Sequence, residues 1–140
     1  MKDIKIWLDD ERPAPLGWHR FYTAESMIAF FEAYKGEYNI TYITLDNDLG
    51  ENALEGYDAV KRLVDLGISA KWWNIHSENV IAADNMHAYL SNAMFHDRIK
   101  IANITNYKSK ELWIVFKIIS KYNQMWYDVI INERRSSDEV

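Results

Sequence analysis

Two rhythms of apolar residues alternate along this chain. Short dense runs of Ile, Leu, Trp and Tyr fall at residues 3–9, 40–46 and 72–76. They are too short for helices and are bounded by turn-forming residues, so they read as buried strands. Between them the spacing changes to i, i+3, i+4, i+7. Met27, Phe30, Phe31 and Tyr34 form one such set, Tyr57, Val60, Leu63 and Val64 a second, and Ala83, Met86, Leu90 and Met94 a third. Each marks an amphipathic helix. Thr23 is a suitable N-cap for the first, and Gly36 and Gly67 end the first and second. His19 to Tyr22 read as a short extra strand. Residues 99–104 alternate as a fifth.

Beyond residue 105 the pattern continues. Leu112, Val115, Phe116 and Ile119 predict a helix over 111–122, and residues 125–131 form an added strand or packed extension. Residues 133–140 are a polar tail, which leaves 1–132 as one domain. Strand and helix in regular alternation specify an α/β fold with a mostly parallel sheet. The spacing suits a small doubly wound, five-stranded sheet in the order 2-1-3-4-5, followed by the C-terminal helix and extension.

In such a sheet, ligands bind outside the carboxyl ends of the strands. Polar groups gather there in this sequence. The first strand runs into Asp9-Asp10-Glu11-Arg12, the third into Asp46-Asn47-Asp48, and the fourth into His76-Ser77-Glu78-Asn79. The order 2-1-3-4-5 makes these three ends neighbours. Converging Asp9, Asp10, Asp46 and Asp48 repel one another unless a cation or protons neutralise them, and hard carboxylate oxygens suit Mg²⁺ or Mn²⁺. Taken singly, each aspartate has an equal reading as a helix cap or a solvated turn residue. His76 is a candidate acid, base or ligand, or else a buried histidine with satisfied partners. Arg12 is suited to a phosphate, or to an ion pair with Asp10 or Glu11. Ser77 and Asn79 precede the third helix, where free N–H groups favour anions, and Asn79 equally suits an N-cap.

Composition narrows the partners. The net charge is -5 with no basic run, so long nucleic acid is not expected. A small phosphorylated ligand remains compatible, because a bound cation supplies positive charge locally. With no cysteine there are no disulfides, thiolate chemistry or cysteine-zinc sites. The N-terminus lacks a long apolar secretion signal and no apolar run reaches membrane-spanning length, so a soluble, cytoplasmic protein is expected. The aromatic content, 14%, is high and points to a core rich in large rings.

The ordered set of motifs resembles the cyclic-phosphate processing receiver-like domain of the receiver superfamily. The matching stretches are Leu8 to Pro13 with Pro15, Thr23-Ala24-Glu25, Leu45 to Gly50, Gly56-Tyr57-Asp58, and His76 to Asn79 with Asn85-Met86. Two sites depart from the family pattern: Asn47 stands where a His is usual, and Val80 and Ala82 replace a Pro and a nearby Gly. The resemblance implies a flavodoxin-like fold, with Asp9 and Asp10 at the metal-binding positions and Asp46 in place of the receiver phosphoacceptor. Asp48 and His76 would complete the pocket.

Three functions follow as expectations. The first is a metal-dependent phosphoesterase acting on a cyclic phosphate or nucleotide, with Asp46 and His76 catalytic. In it Asp9, Asp10, Asp46 and Asp48 hold Mg²⁺ or Mn²⁺, and Arg12, Ser77 and Asn79 hold the phosphate. The second is a noncatalytic module that sequesters a nucleotide or binds a protein through its aromatic C-terminal extension. The third, ranked last, is a phosphoacceptor receiver using Asp46, with Lys108 as its nearest candidate lysine.

Overall fold

The computed structural model describes residues 1–106. The expected helix over 111–122, the extension over 125–131, the tail and Lys108 lie outside the described residues. Five strands and three helices are present: β1 (Lys2–Leu8), β2 (His19–Phe21), α1 (Ala24–Tyr34), β3 (Tyr38–Leu45), α2 (Gly56–Asp65), β4 (Trp72–Ile75), α3 (Val80–Phe95) and β5 (Asn103–Asn106). The strands pair in parallel in the order β2-β1-β3-β4-β5, as the α/β alternation requires.

Even positions of β1, odd positions of β4 and the odd positions of β3 beyond Thr41 point to one face. There Ile6, Leu8, Ile43, Leu45, Trp73 and Ile75 join a single buried cluster with residues of all three helices. The expected helical stripes supply Met27 and Phe31, then Val60, Leu63 and Val64, then Ala83, Met86 and Leu90. Burying a Leu, Ile, Met or Phe side chain contributes roughly 1.5–3 kcal/mol, so this cluster anchors the helices to the sheet. Local signals set their starts. Thr23 Oγ1 accepts from Ser26 N at 3.1 Å, and Asn79 Oδ1 accepts from Ala82 N at 3.1 Å.

On the opposite face Trp7 is buried under the loop that joins β1 to β2. Trp18 meets it edge-on, with ring centroids 5.8 Å apart, and the Trp7 indole Nε1 donates to Arg12 O at 3.1 Å. Pro13 and Pro15 stiffen this loop. The ring and the prolines together hold Arg12 at the carboxyl edge of the sheet.

Two strand details differ from the sequence pattern. β5 begins at Asn103 rather than Ile99; Ile99 is buried in the connection from α3, and pairing begins only where Ala102 N donates to Lys71 O at 3.0 Å. Along β1 and β3 the pairing passes from Ile4–Ile40 to Lys5–Tyr42, so Thr41 is an extra residue in β3.

Candidate functional site

The sheet register builds the site. Leu8 pairs with Leu45, and Leu45 with Ile75. The next residues are Asp9, Asp46 and His76, and ladder bonds continue through them. Asp46 N donates to Leu8 O at 2.9 Å, His76 N to Leu45 O at 3.0 Å, and Asp9 N to Phe21 O at 3.1 Å. Neighbouring strands lie about 4.8 Å apart, so the three groups form one row. All three lie one residue past the core-facing Leu8, Leu45 and Ile75, and so point to the Trp7 face.

Asp9 is fully buried and has four donors among the described residues. Glu11 N and Arg12 N both reach Oδ1 at 2.9 Å, while His76 Nε2, at 2.9 Å, and Arg12 Nη1, at 3.2 Å, reach Oδ2. Burial raises the proton affinity of such a carboxyl. The hydrogen bonds from His76, Arg12 and Glu11 outweigh it and hold Asp9 at about 2.

Asp46 has the opposite balance. Its Oδ1 accepts from Asn47 N at 2.8 Å, and its Oδ2 accepts from Arg12 Nη1 at 3.4 Å among the described residues. Burial and the adjacent Asp9 charge push its pKa up to about 7, against the pull of Arg12. Arg12 Nη2 also lies 3.2 Å from Glu78 Oε1. Its guanidinium therefore bridges the ends of β1, β3 and β4.

Asp9, Asp10 and Asp46 each offer an oxygen, and these atoms all lie within 4.8 Å of one another. That span is close to the sphere of oxygens around Mg²⁺, about 4 Å across at roughly 2.1 Å per bond. The three donors are hard and anionic, so the set fits a small divalent cation. Beside it opens a cleft of about 390 Å³, lined by Asp10, Glu11, Arg12, Asp46, Asp48, Glu51, Glu55 and Glu78, with Leu49 and Gly50.

Residues 4–92 match the cyclic-phosphate processing receiver domain. The match spans more than half the chain and contains every motif at the site. The chain belongs to that family. No curated protein and no solved structure matches it.

Within this receiver domain the individual residues can be placed. Asp10 stands at the cleft with Asp9 and Asp46. Asp48 is exposed on the cleft wall, outside the three-carboxylate cluster, and accepts from Asn47 Nδ2 at 3.1 Å. The hydroxyl of Ser77 is buried and accepts from Asn79 N at 3.1 Å, and Asn79 caps α3. Neither lines the cleft. The residue between them, Glu78, does line it.

His76 lies beneath this surface. It is fully buried, stacked on Trp7 with centroids 4.8 Å apart, and both ring nitrogens are engaged. Nδ1 lies 2.8 Å from Thr44 Oγ1, which itself accepts from Asn74 Nδ2 at 2.8 Å. The ionised Asp9 needs a donor, so Nε2 carries the proton and the Thr44 hydroxyl donates to Nδ1. Burial lowers the His76 pKa against the pull of Asp9 and keeps the ring neutral. His76 thus meets Asp9 from inside the fold, on the side away from solvent.

Asn47 is also buried. Its Oδ1 accepts from Tyr57 N at 3.0 Å and its carbonyl accepts from Gly56 N at 2.9 Å. The start of α2 is thereby fastened to the loop after β3. A side chain at Gly56 is excluded, because its Cβ would stand 1.9 Å from Asp46 O.

Sequence reasoning missed Thr44, Asn74 and Glu78. The first two were discoverable, as polar residues in apolar strands, paired in register and two residues before Asp46 and His76. Glu78 had only its place in the same strand-end motif.

Proposed function

We propose that this receiver domain is a divalent-cation-dependent phosphoesterase acting on, or at least binding, a cyclic phosphate or nucleotide. The observation that carries this reading is the meeting of Asp9, Asp10 and Asp46, three carboxylates with oxygens within 4.8 Å of one another beside an open cleft. Family membership supports the phosphate chemistry. Mg²⁺ or Mn²⁺, when bound, supplies Lewis acidity toward a phosphoryl oxygen. Asp9 is kept ionised by its donors and Asp10 stands at the cleft, so both suit cation binding. Asp46 is the buried carboxyl at the cleft with a proton affinity near neutrality, and there it serves as ligand or proton acceptor. Arg12 is the cation on the cleft wall suited to an anionic ligand.

Hydrolysis of a cyclic phosphate adds water to phosphorus and breaks one ester P–O bond. The proton that the water gives up ends on the released alcohol oxygen. Turnover of a panel of cyclic nucleotides and cyclic-phosphate ends with Mg²⁺ or Mn²⁺, and its loss in Asp46→Ala, tests the reading. No turnover of any member, or full activity in Asp46→Ala, would remove it.

A second reading, a module that binds a nucleotide without converting it, is favoured by the burial of His76. The described cleft lining contains carboxylates and one arginine but no histidine. Calorimetric binding without turnover selects this reading.

A further inference from the structure

A carboxylate offers about four lone-pair sites, and Asp9 has a donor for each. Three of these donors are fixed. Two are backbone amides of the β1–β2 loop, and the third is His76, held from its other side by Thr44. The fourth, Arg12 Nη1, sits on a flexible side chain that is 23% exposed. The same nitrogen is the only described side-chain partner of Asp46 Oδ2. The other end of the guanidinium already lies against Glu78 at the cleft mouth, 3.2 Å away.

We propose that Arg12 is a resident counter-ion of this site: its guanidinium must leave Asp9 and Asp46 before they can hold a divalent cation, and once displaced it turns on Glu78 into the cleft to receive a phosphate. The proposal rests on the reading of Asp9, Asp10 and Asp46 as cation ligands. Two properties follow from it. Without a cation, Arg12 already offsets part of the buried negative charge. Binding is also ordered, because Nη1 is spent on carboxylates until the cation is present. A phosphate alone meets a cleft lined by seven carboxylates, Asp10, Glu11, Asp46, Asp48, Glu51, Glu55 and Glu78, with the one guanidinium occupied.

The test is calorimetric titration of the full chain with Mn²⁺ alone, then with inorganic phosphate with and without Mn²⁺. Wild type, Arg12→Gln and Arg12→Lys are compared. Lysine keeps the charge but is a single point donor and cannot span Asp9, Asp46 and Glu78. If Arg12 is a bridging latch, both variants bind Mn²⁺ about tenfold more tightly than wild type. Phosphate then binds wild type only with Mn²⁺, and Arg12→Gln loses that binding. Equal Mn²⁺ affinity in all three proteins overturns the latch and leaves the cation site standing. So does tightening in Arg12→Gln alone, which reports simple charge repulsion. Absence of Mn²⁺ binding in all three overturns the cation site itself, and the latch with it.

Discussion

Asp9 and Asp46 sit one strand apart, both buried, yet they hold protons on opposite sides of the usual carboxylate range, about 2 and about 7. Donor supply accounts for the difference: Asp9 is surrounded by N–H groups, whereas Asp46 has burial and a negative neighbour. The linkage to stability follows. Between pH 4 and 7 the folded chain keeps a proton on Asp46 that the unfolded chain releases, so this residue's contribution falls as pH rises and its full cost is felt above 7. Asp9 works the other way, its contribution being present above about pH 4 and lost as pH falls through 2. His76, with its lowered pKa, opposes Asp46 in the window below 6.5. Asp46→Asn is therefore expected to melt higher than wild type at pH 8, by on the order of 2 kcal/mol or more, with the gain shrinking toward pH 5. Thermal melts across that range check it, and a gain independent of pH would count against the assigned cause. Mn²⁺ is likewise expected to raise the melting temperature of wild type more at pH 8 than at pH 5.5, and to leave Asp46→Asn nearly unmoved. His76→Ala should cost roughly 2–4 kcal/mol in urea titrations, because it opens a cavity against Trp7 and removes a donor from a buried carboxylate.

Elements place these residues through their ends. The strand-end motifs and helical stripes were legible because each follows a plain period, and Thr23 and Asn79 act as the caps their sequence positions suggest. The fifth strand was less legible: Ile99 has the hydrophobicity of a strand residue, but it is buried in a connection that precedes the pairing. Hidden altogether was the contact between α2 and the loop after β3, since a glycine in sequence does not reveal what it approaches. Gly56→Ala tests that contact. The added methyl collides with backbone at Asp46, so a loss of about 1–3 kcal/mol or more is expected, together with weakened Mn²⁺ binding. If stability falls while Mn²⁺ affinity is unchanged, α2 does not position Asp46. Asn47→Ala, which strips a partner from Tyr57 N, should cost about 1 kcal/mol by the same denaturation measurement.

At the scale of the whole molecule, the strand order converts three distant motifs into one site. That order was readable from the alternation of strands and helices, and it makes the ends of β1, β3 and β4 neighbours. Pattern alone did not give the contacts inside the site. Nothing in the spacing shows that His76 is enclosed between Trp7 and Thr44, or that Arg12 turns inward onto two aspartates; both depend on how the β1–β2 loop folds over the sheet. Overall charge makes a further point. A chain of net charge -5 with an acidic cleft repels a nucleotide, so chelation by EDTA is expected to abolish nucleotide binding. Calorimetry before and after chelation reads this directly, and binding that survives would mean that Arg12 suffices.

The extra residue Thr41 has a consequence for what lengths the third strand can tolerate. Ile40 and Ile43 both face the helices although they are three apart, which a regular strand of period two forbids. Thr41 absorbs the odd step. Thr41 therefore gives β3 one residue of slack: its deletion would join two stretches already in register, Ile4–Ile40 and Lys5–Tyr42, and leave Asp46 beside Asp9. One unpaired residue near the far end of the sheet separates the length of β3 from the level of the row at which the chemistry is proposed to occur.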